Sequence, residues 1–109
     1  MEVINATPHV VNVIGGIDIP PSGIVPRLET TEEKNGVVVV SGIEVPLFEQ
    51  HFGGVVGLPE PKEGVLYITS LVVAQAAAAM GRNDIVAPHS VRDGSGKVVG
   101  CDGFILPKT

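Results

Sequence analysis

From Gly64 to Pro88 the sequence reads GVLYITSLVVAQAAAAMGRNDIVAP, the only long segment with one unbroken pattern. Val65 to Thr69 is a short apolar run with a β-branched and aromatic bias, which predicts a strand buried on both faces. Thr69 or Ser70 then caps a helix over Leu71 to Met80, where four consecutive alanines and the lack of Gly or Pro raise helix propensity. Gly81 is placed to end that helix in a left-handed conformation, and Arg82 sits where the negative end of the helix dipole favours a cation. Asn83-Asp84 forms a polar turn, and Ile85 to Ala87 makes a second strand. A right-handed crossover would lay the two strands parallel. The helix is apolar nearly all round, with Gln75 its one polar side chain. One sheet covers one stripe of a helix, so a second covering is expected, most simply from another copy of the chain.

Around this unit the chain punctuates itself with glycine and proline. Glu2 to Ile4 reads as an opening strand broken by Asn5-Ala6-Thr7-Pro8-His9. Val10 to Ile14 and Ile17 to Ile19 flank Gly15-Gly16, a hairpin signal. After Pro20-Pro21-Ser22-Gly23, Ile24 to Thr30 forms a third strand that carries Arg27. Thr31 to Gly36 is the most polar segment and ends in Asn-Gly, so it predicts an exposed turn. Val37 to Val40 then predicts a central strand covered on both faces. Pro46 to Phe52 fits either a strand or one helical turn. Pro59 and Pro61 stiffen the Gly57 to Gly64 loop into a rigid lip. Val91 to Asp93 and Lys97 to Cys101 make a C-terminal hairpin around Gly94-Ser95-Gly96, with Phe104 to Leu106 adding a last strand or tail. The expected fold is α+β: a single domain over residues 1–109, with a mixed, mainly antiparallel sheet and one principal helix in a strand-helix-strand unit.

Composition narrows the function classes. With 109 residues the chain has room for one core, and 44% hydrophobic against 17% charged residues places it among globular proteins. A net charge of −5, with seven scattered Lys and Arg, argues against binding a nucleic-acid polymer. A single cysteine, Cys101, allows no intrachain disulfide and fits the cytoplasm. In an apolar strand bounded by glycines it reads as a small core residue. No apolar run approaches the roughly 20 residues of a membrane span, and the N-terminus lacks the pattern of a signal peptide.

No catalytic signature of known mechanism occurs in the sequence. His9, His51 and His89 stand at no metal-ligand spacing from one another, so no metal site and no cofactor are expected. The glycine clusters lack the Lys-Ser/Thr ending of a phosphate-binding loop. What remains are polar residues at strand ends. In a strand-helix-strand unit the residues after both parallel strands open on one sheet edge, which makes Thr69 and Ser70 neighbours of His89 and Ser90. The helix start presents unpaired N–H groups to an anion there, and Arg92, Arg27 and His9 would complete the ligand-binding set. The simpler reading is that Thr69 and Ser70 only cap the helix.

The chain also resembles a family of short, functionally uncharacterised proteins carried by bacteriophages and some bacteria. The likeness rests on N-x-T-P-H at Asn5 to His9, G-L-P-E-P at Gly57 to Pro61, Y-I-T-S at Tyr67 to Ser70, V-R-D at Val91 to Asp93 and G-x-V-x-G-C at Gly96 to Cys101. It implies an intracellular setting, the host bacterial cytoplasm for a phage-borne copy, and carries no site residue with it. Together these readings lead to a non-catalytic, homo-oligomeric binder of a small anionic, nucleotide-derived ligand, such as a phage counter-defence protein that sequesters an immune signalling molecule. The alternatives are an enzyme that hydrolyses or ring-opens such a ligand with His89 or His9 as acid or base, and a structural or host-protein-binding module that uses the proline-rich lip.

Overall fold

A computed structural model of the chain describes residues 1–108. Strands account for 55% of the chain and helix for 8%, so the fold is mostly β with one short helix, not α+β around a principal helix. Six strands, β1 (Glu2–Asn5), β2 (Val11–Val13), β3 (Ile17–Ile19), β6 (Val65–Ile68), β7 (Ile85–Arg92) and β8 (Val98–Ile105), form one sheet in the order β1-β6-β7-β8-β2-β3. That sheet nearly closes on itself. The residues after β3 return to β1, where Asn5 bridges Pro21 and the Ser22 N–H donates to the Asn5 carbonyl at 2.9 Å. Nor is the sheet mainly antiparallel. β1–β6, β6–β7 and β2–β8 are parallel pairs, and only β2–β3 and β7–β8 run antiparallel within the barrel.

Helix α1 (Leu71–Ala79) joins the parallel strands β6 and β7 and packs on the outside of the barrel. The Ser70 hydroxyl accepts from the Val73 N–H at 3.4 Å at its start. At its end Gly81 takes φ +92°, and the N–H groups of Gly81 and Arg82 donate to the carbonyls of Ala78 and Ala77, a Schellman closure. Strand alternation divides the core in two. Tyr67, Ile85 and Ala87 face Ala74 and Ala77 of the helix, whereas Ile68 and Val86 point into the barrel with Val11 and Cys101. The opposite side of α1 stays uncovered within the chain, with Leu71, Val72 and Met80 exposed.

Arg82 does more than sit near the helix end. Its guanidinium makes two 2.9 Å bonds to the Asp84 carboxylate in a pair largely shielded from water. Those bonds, against an opposing cost of desolvation, hold Asp84 below the ordinary carboxylate range. A depressed folded-state value means that the pair stabilises fully above the unfolded value and that this contribution fades as pH falls through the folded one. Asp84→Asn should therefore cost about 1–2 kcal/mol at pH 7. Thermal melts should show the gap between wild type and variant narrowing below roughly pH 4.

The largest departure from the sequence reading lies between Arg27 and Val56. β4 (Arg27–Val40) and β5 (Ile43–Val56) form a separate antiparallel ribbon of 14 residues per strand. It projects as an arm and stretches the molecule to 56 × 38 × 26 Å. Thr31 to Gly36 is therefore strand, not an exposed turn, and Pro46 to Phe52 is strand, not helix. The chain reverses instead at Ser41-Gly42, where both residues have positive φ (51° and 80°), as a two-residue hairpin turn of the primed type requires. Gly36, at φ +91°, falls where β4 carries an extra residue between the pairs Lys34↔Phe48 and Val37↔Pro46, so the Asn-Gly pair makes a bulge. Val37 to Val40 are not a covered central strand. They are 42–64% exposed.

Candidate functional site

One cleft of about 490 Å³ opens past the carboxyl ends of β1 and β6, beside Pro88 and Ser90 of β7. That size suits a small ligand, and the place matches the general preference for the carboxyl edge of parallel strands. Its polar wall consists of Thr7, His9, Asn12, Thr69, Ser70 and Ser90. Its apolar wall is built mainly from Val10, Val11, Val25, Val98 and Val99.

Asn5 holds the wall that carries Thr7 and His9. Its buried side chain donates to the His9 carbonyl at 2.7 Å and to the Ile19 carbonyl at 2.8 Å. Its Oδ1 accepts from the Thr7 N–H at 3.0 Å and the Thr7 hydroxyl at 2.6 Å. All four side-chain bonds are local or cross the closing seam of the barrel, so one amide fixes both the seam and the loop over the cleft. On the other side, Thr69 is buried, donates its N–H to the Val86 carbonyl at 2.8 Å and its hydroxyl to the Ser70 carbonyl at 3.0 Å. Ser70 is exposed at the helix start, next to the first-turn N–H groups that have no intrahelical acceptor.

The structure thus gathers Thr69, Ser70, Ser90 and His9 around one opening. It does not bring His89, Arg92 or Arg27 into it. Along β7, Pro88 and Ser90 line the cleft while His89 turns to the other face, where its Nδ1 lies 2.6 Å from Asp102 Oδ1. Asp102 is the extra residue of a β8 bulge, between the pairs His89↔Gly103 and Ser90↔Cys101. Arg92 donates to the Gly96 carbonyl at 2.7 Å and so braces its own hairpin. Asp93 closes the same turn. Its Oδ1 accepts from the Ser95 hydroxyl, the Ser95 N–H and the Lys97 N–H, and these bonds hold its carboxyl below the ordinary range. Arg27 stands exposed at the base of the arm, opposite Val56.

Asn12 and the valines of the apolar wall line the cleft without having been singled out in the sequence. The N-x-T-P-H run contained the signal for Asn5, since an Asn two residues before a Thr is built to bond its own backbone. A group of metal-ligating types also forms away from the cleft. Glu33, Glu49 and His51 meet across the arm, with His51 Nε2 3.9 Å from both carboxylates, and all three are exposed. Among the described residues no helix is long and apolar enough to cross a membrane. Comparison of the chain with protein-family models, with curated proteins and with solved structures gives no match.

Proposed function

We propose that the chain is a non-catalytic, homo-oligomeric binder of a small anionic, nucleotide-derived ligand, and that a phage-borne copy acts in the bacterial cytoplasm by sequestering a signalling molecule of host immunity. The observation that carries the proposal is the composition of the cleft: an apolar wall of valines faces hydroxyls and the start of a helix. A base or sugar face lies against the valines, and a phosphate takes the first-turn N–H groups with Ser70, Thr7 and Ser90. His9 is the histidine among the lining residues, and neither Arg nor Lys is among them. The ligand's charge is met chiefly by neutral donors and the helix dipole, which favours one bound phosphate over a run of several.

The placement of the histidines supports binding without turnover: His9, the one at the cleft, has no carboxylate among the lining residues to pair with. The His89–Asp102 pair, the arrangement closest to an acid–base dyad, faces away from the cleft, so it has no route to a ligand bound there. Protein purified from bacteria or infected-cell lysate and denatured by heat should release an intact nucleotide-derived anion, detected by mass spectrometry. Calorimetry with that compound should show Ser90→Trp, which fills the cleft, weakening binding by at least about tenfold, equivalent to 1.4 kcal/mol. Arg27→Ala and Arg92→Ala should bind as wild type does. Release of a cleaved product, or wild-type affinity in Ser90→Trp, would reject the reading.

A further inference from the structure

The arm is the part of the molecule that the ligand-binding reading leaves without a purpose. Of the residues in β4 and β5 only Leu28 and Val55, at the base, are even partly buried. A two-stranded ribbon in water is marginal, and stability normally needs a third strand or a packed face. Yet the arm is rich in side chains that water disfavours. Cross-strand pairing sets Val38 opposite Val45 and Val40 opposite Ile43, and alternation along β5 adds Leu47. These five form one continuous apolar face near the tip. Val37, Val39 and Phe48 give the reverse face a similar character, with Val39 64% and Phe48 61% exposed.

Val38, Val40, Ile43, Val45 and Leu47 are 40–66% exposed, together on the order of half of the roughly 800 Å² per partner in a standard interface, and the reverse face adds Val37, Val39 and Phe48. Monomeric proteins seldom leave contiguous apolar patches above a few hundred Å². The chain carries a second uncovered apolar surface of its own, the outer side of α1 with Leu71, Val72 and Met80. Although α1 meets the arm within the chain, both surfaces keep exposed apolar residues. The five-residue face has no charged member, so it offers nothing to a strongly charged partner.

We infer that the β4–β5 arm is an interface between copies of this chain, with the Val38, Val40, Ile43, Val45 and Leu47 face packed against a second copy. The inference rests on the self-association in the functional reading and on nothing about the ligand. The bulge at Gly36 adds coiling to the ribbon, which lets a long arm follow a neighbour's surface. Reciprocal exchange of arms about a two-fold axis buries both copies' patches at once.

Sedimentation equilibrium on the full chain tests it, with circular dichroism to show that each protein is folded. Wild type at micromolar concentration should sediment at a multiple of its 11.3 kDa mass. Val38→Glu and Ile43→Glu change residues already exposed in the single chain, so both variants should keep the wild-type spectrum and sediment as monomers. A monomeric wild type would overturn the inference. So would an assembly that survives both arm variants but falls apart with Val72→Glu, since the contact would then lie on the helix. If the arm variants dissociate and no ligand is ever released from the protein, the interface stands and the ligand reading falls.

Discussion

Asn5→Ala is expected to lower the melting temperature sharply while leaving the protein folded at room temperature, although it removes only part of one small side chain. The amide is buried and makes four side-chain hydrogen bonds, two as donor and two as acceptor. Truncation takes the Asn5 donor from the carbonyls of Ile19 and His9, of which the latter keeps the Thr7 hydroxyl at 2.9 Å, and removes the acceptor for Thr7. A polar group left unpaired costs about 1–3 kcal/mol when buried, and with Thr7 and Ile19 half-buried and His9 exposed the total is on the order of 3 kcal/mol. A domain of this size has about 5–15 kcal/mol to lose. The position also joins β1 to the chain after β3 through its own carbonyl, so an opening here breaches the seam of the barrel.

Asn5→Asp separates the hydrogen bonds from the size of the side chain. Aspartate keeps an acceptor for Thr7 but, when ionised, has no donor for the two carbonyls, which face the carboxylate and repel it. Its folded-state value should then lie above that of the unfolded chain. By linkage the variant is penalised most above its folded-state value and recovers as pH falls and the carboxyl becomes a donor. Thermal melts should show Asn5→Asp gaining on wild type between pH 7 and roughly pH 4.5. A gap independent of pH would mean that the carbonyl contacts contribute little. Thr7→Val, which removes one hydroxyl of the same network, should cost only about 1 kcal/mol.

The strand ends of the barrel were legible in the sequence because each carried a local signal. Gly15-Gly16, Ser70 and Gly81 each sit where the backbone needs them, and β6, α1 and β7 follow from apolar period and propensity. The arm was hidden because its signals point the wrong way. Asn35-Gly36 is a stronger turn signal than Ser41-Gly42, and Thr-Thr-Glu-Glu-Lys looks like a loop when its strand partner is unknown. Four adjacent valines usually mean a strand buried on both faces, and here the rule fails within the single chain. Barrel closure was equally invisible. It depends on Asn5 bridging Pro21, an isolated contact outside the strand pairings that no period records.

At the cleft, edge logic placed Thr69, Ser70 and Ser90 together, and all three line the opening, although Ser90 lies within β7, beyond its parallel pairing with β6, and not after the strand. It failed for His89 because of strand alternation: adjacent residues of β7 point to opposite faces, and a bulge at Asp102 fixes which face each takes. Arg92 was taken by its own hairpin, and Arg27 was carried off on an arm whose existence was not foreseen. Charge in a sequence marks residues that can bind an anion, but local turns compete for the same guanidinium groups, and in β7–β8 the turn won.

Helix α1 offers the sharpest separation between what the sequence could say and what the fold decides, and it yields the second large effect. Its eight apolar positions look alike in sequence, yet Ala77 is fully buried against Tyr67, Ile85 and Ala87 while Leu71 and Val72 are exposed. Ala77→Glu must fit a longer side chain where helix and sheet touch, and overpacking alone costs about 1–3 kcal/mol. The carboxylate would also lie between apolar side chains with no cation among them, and an unpaired buried charge adds about 3 kcal/mol or more. The sum is on the order of 5 kcal/mol, enough to consume most of the stability of a domain of this size. The expected result is loss of the cooperative melt and of the native circular dichroism spectrum. Gln75→Glu, one turn of logic away on the same helix, should stay within about 0.5 kcal/mol of wild type. A folded Ala77→Glu protein with a near-normal melting temperature would show that α1 can lift from the barrel without loss. The β6–α1–β7 core would then not be the centre of stability that its buried side chains indicate.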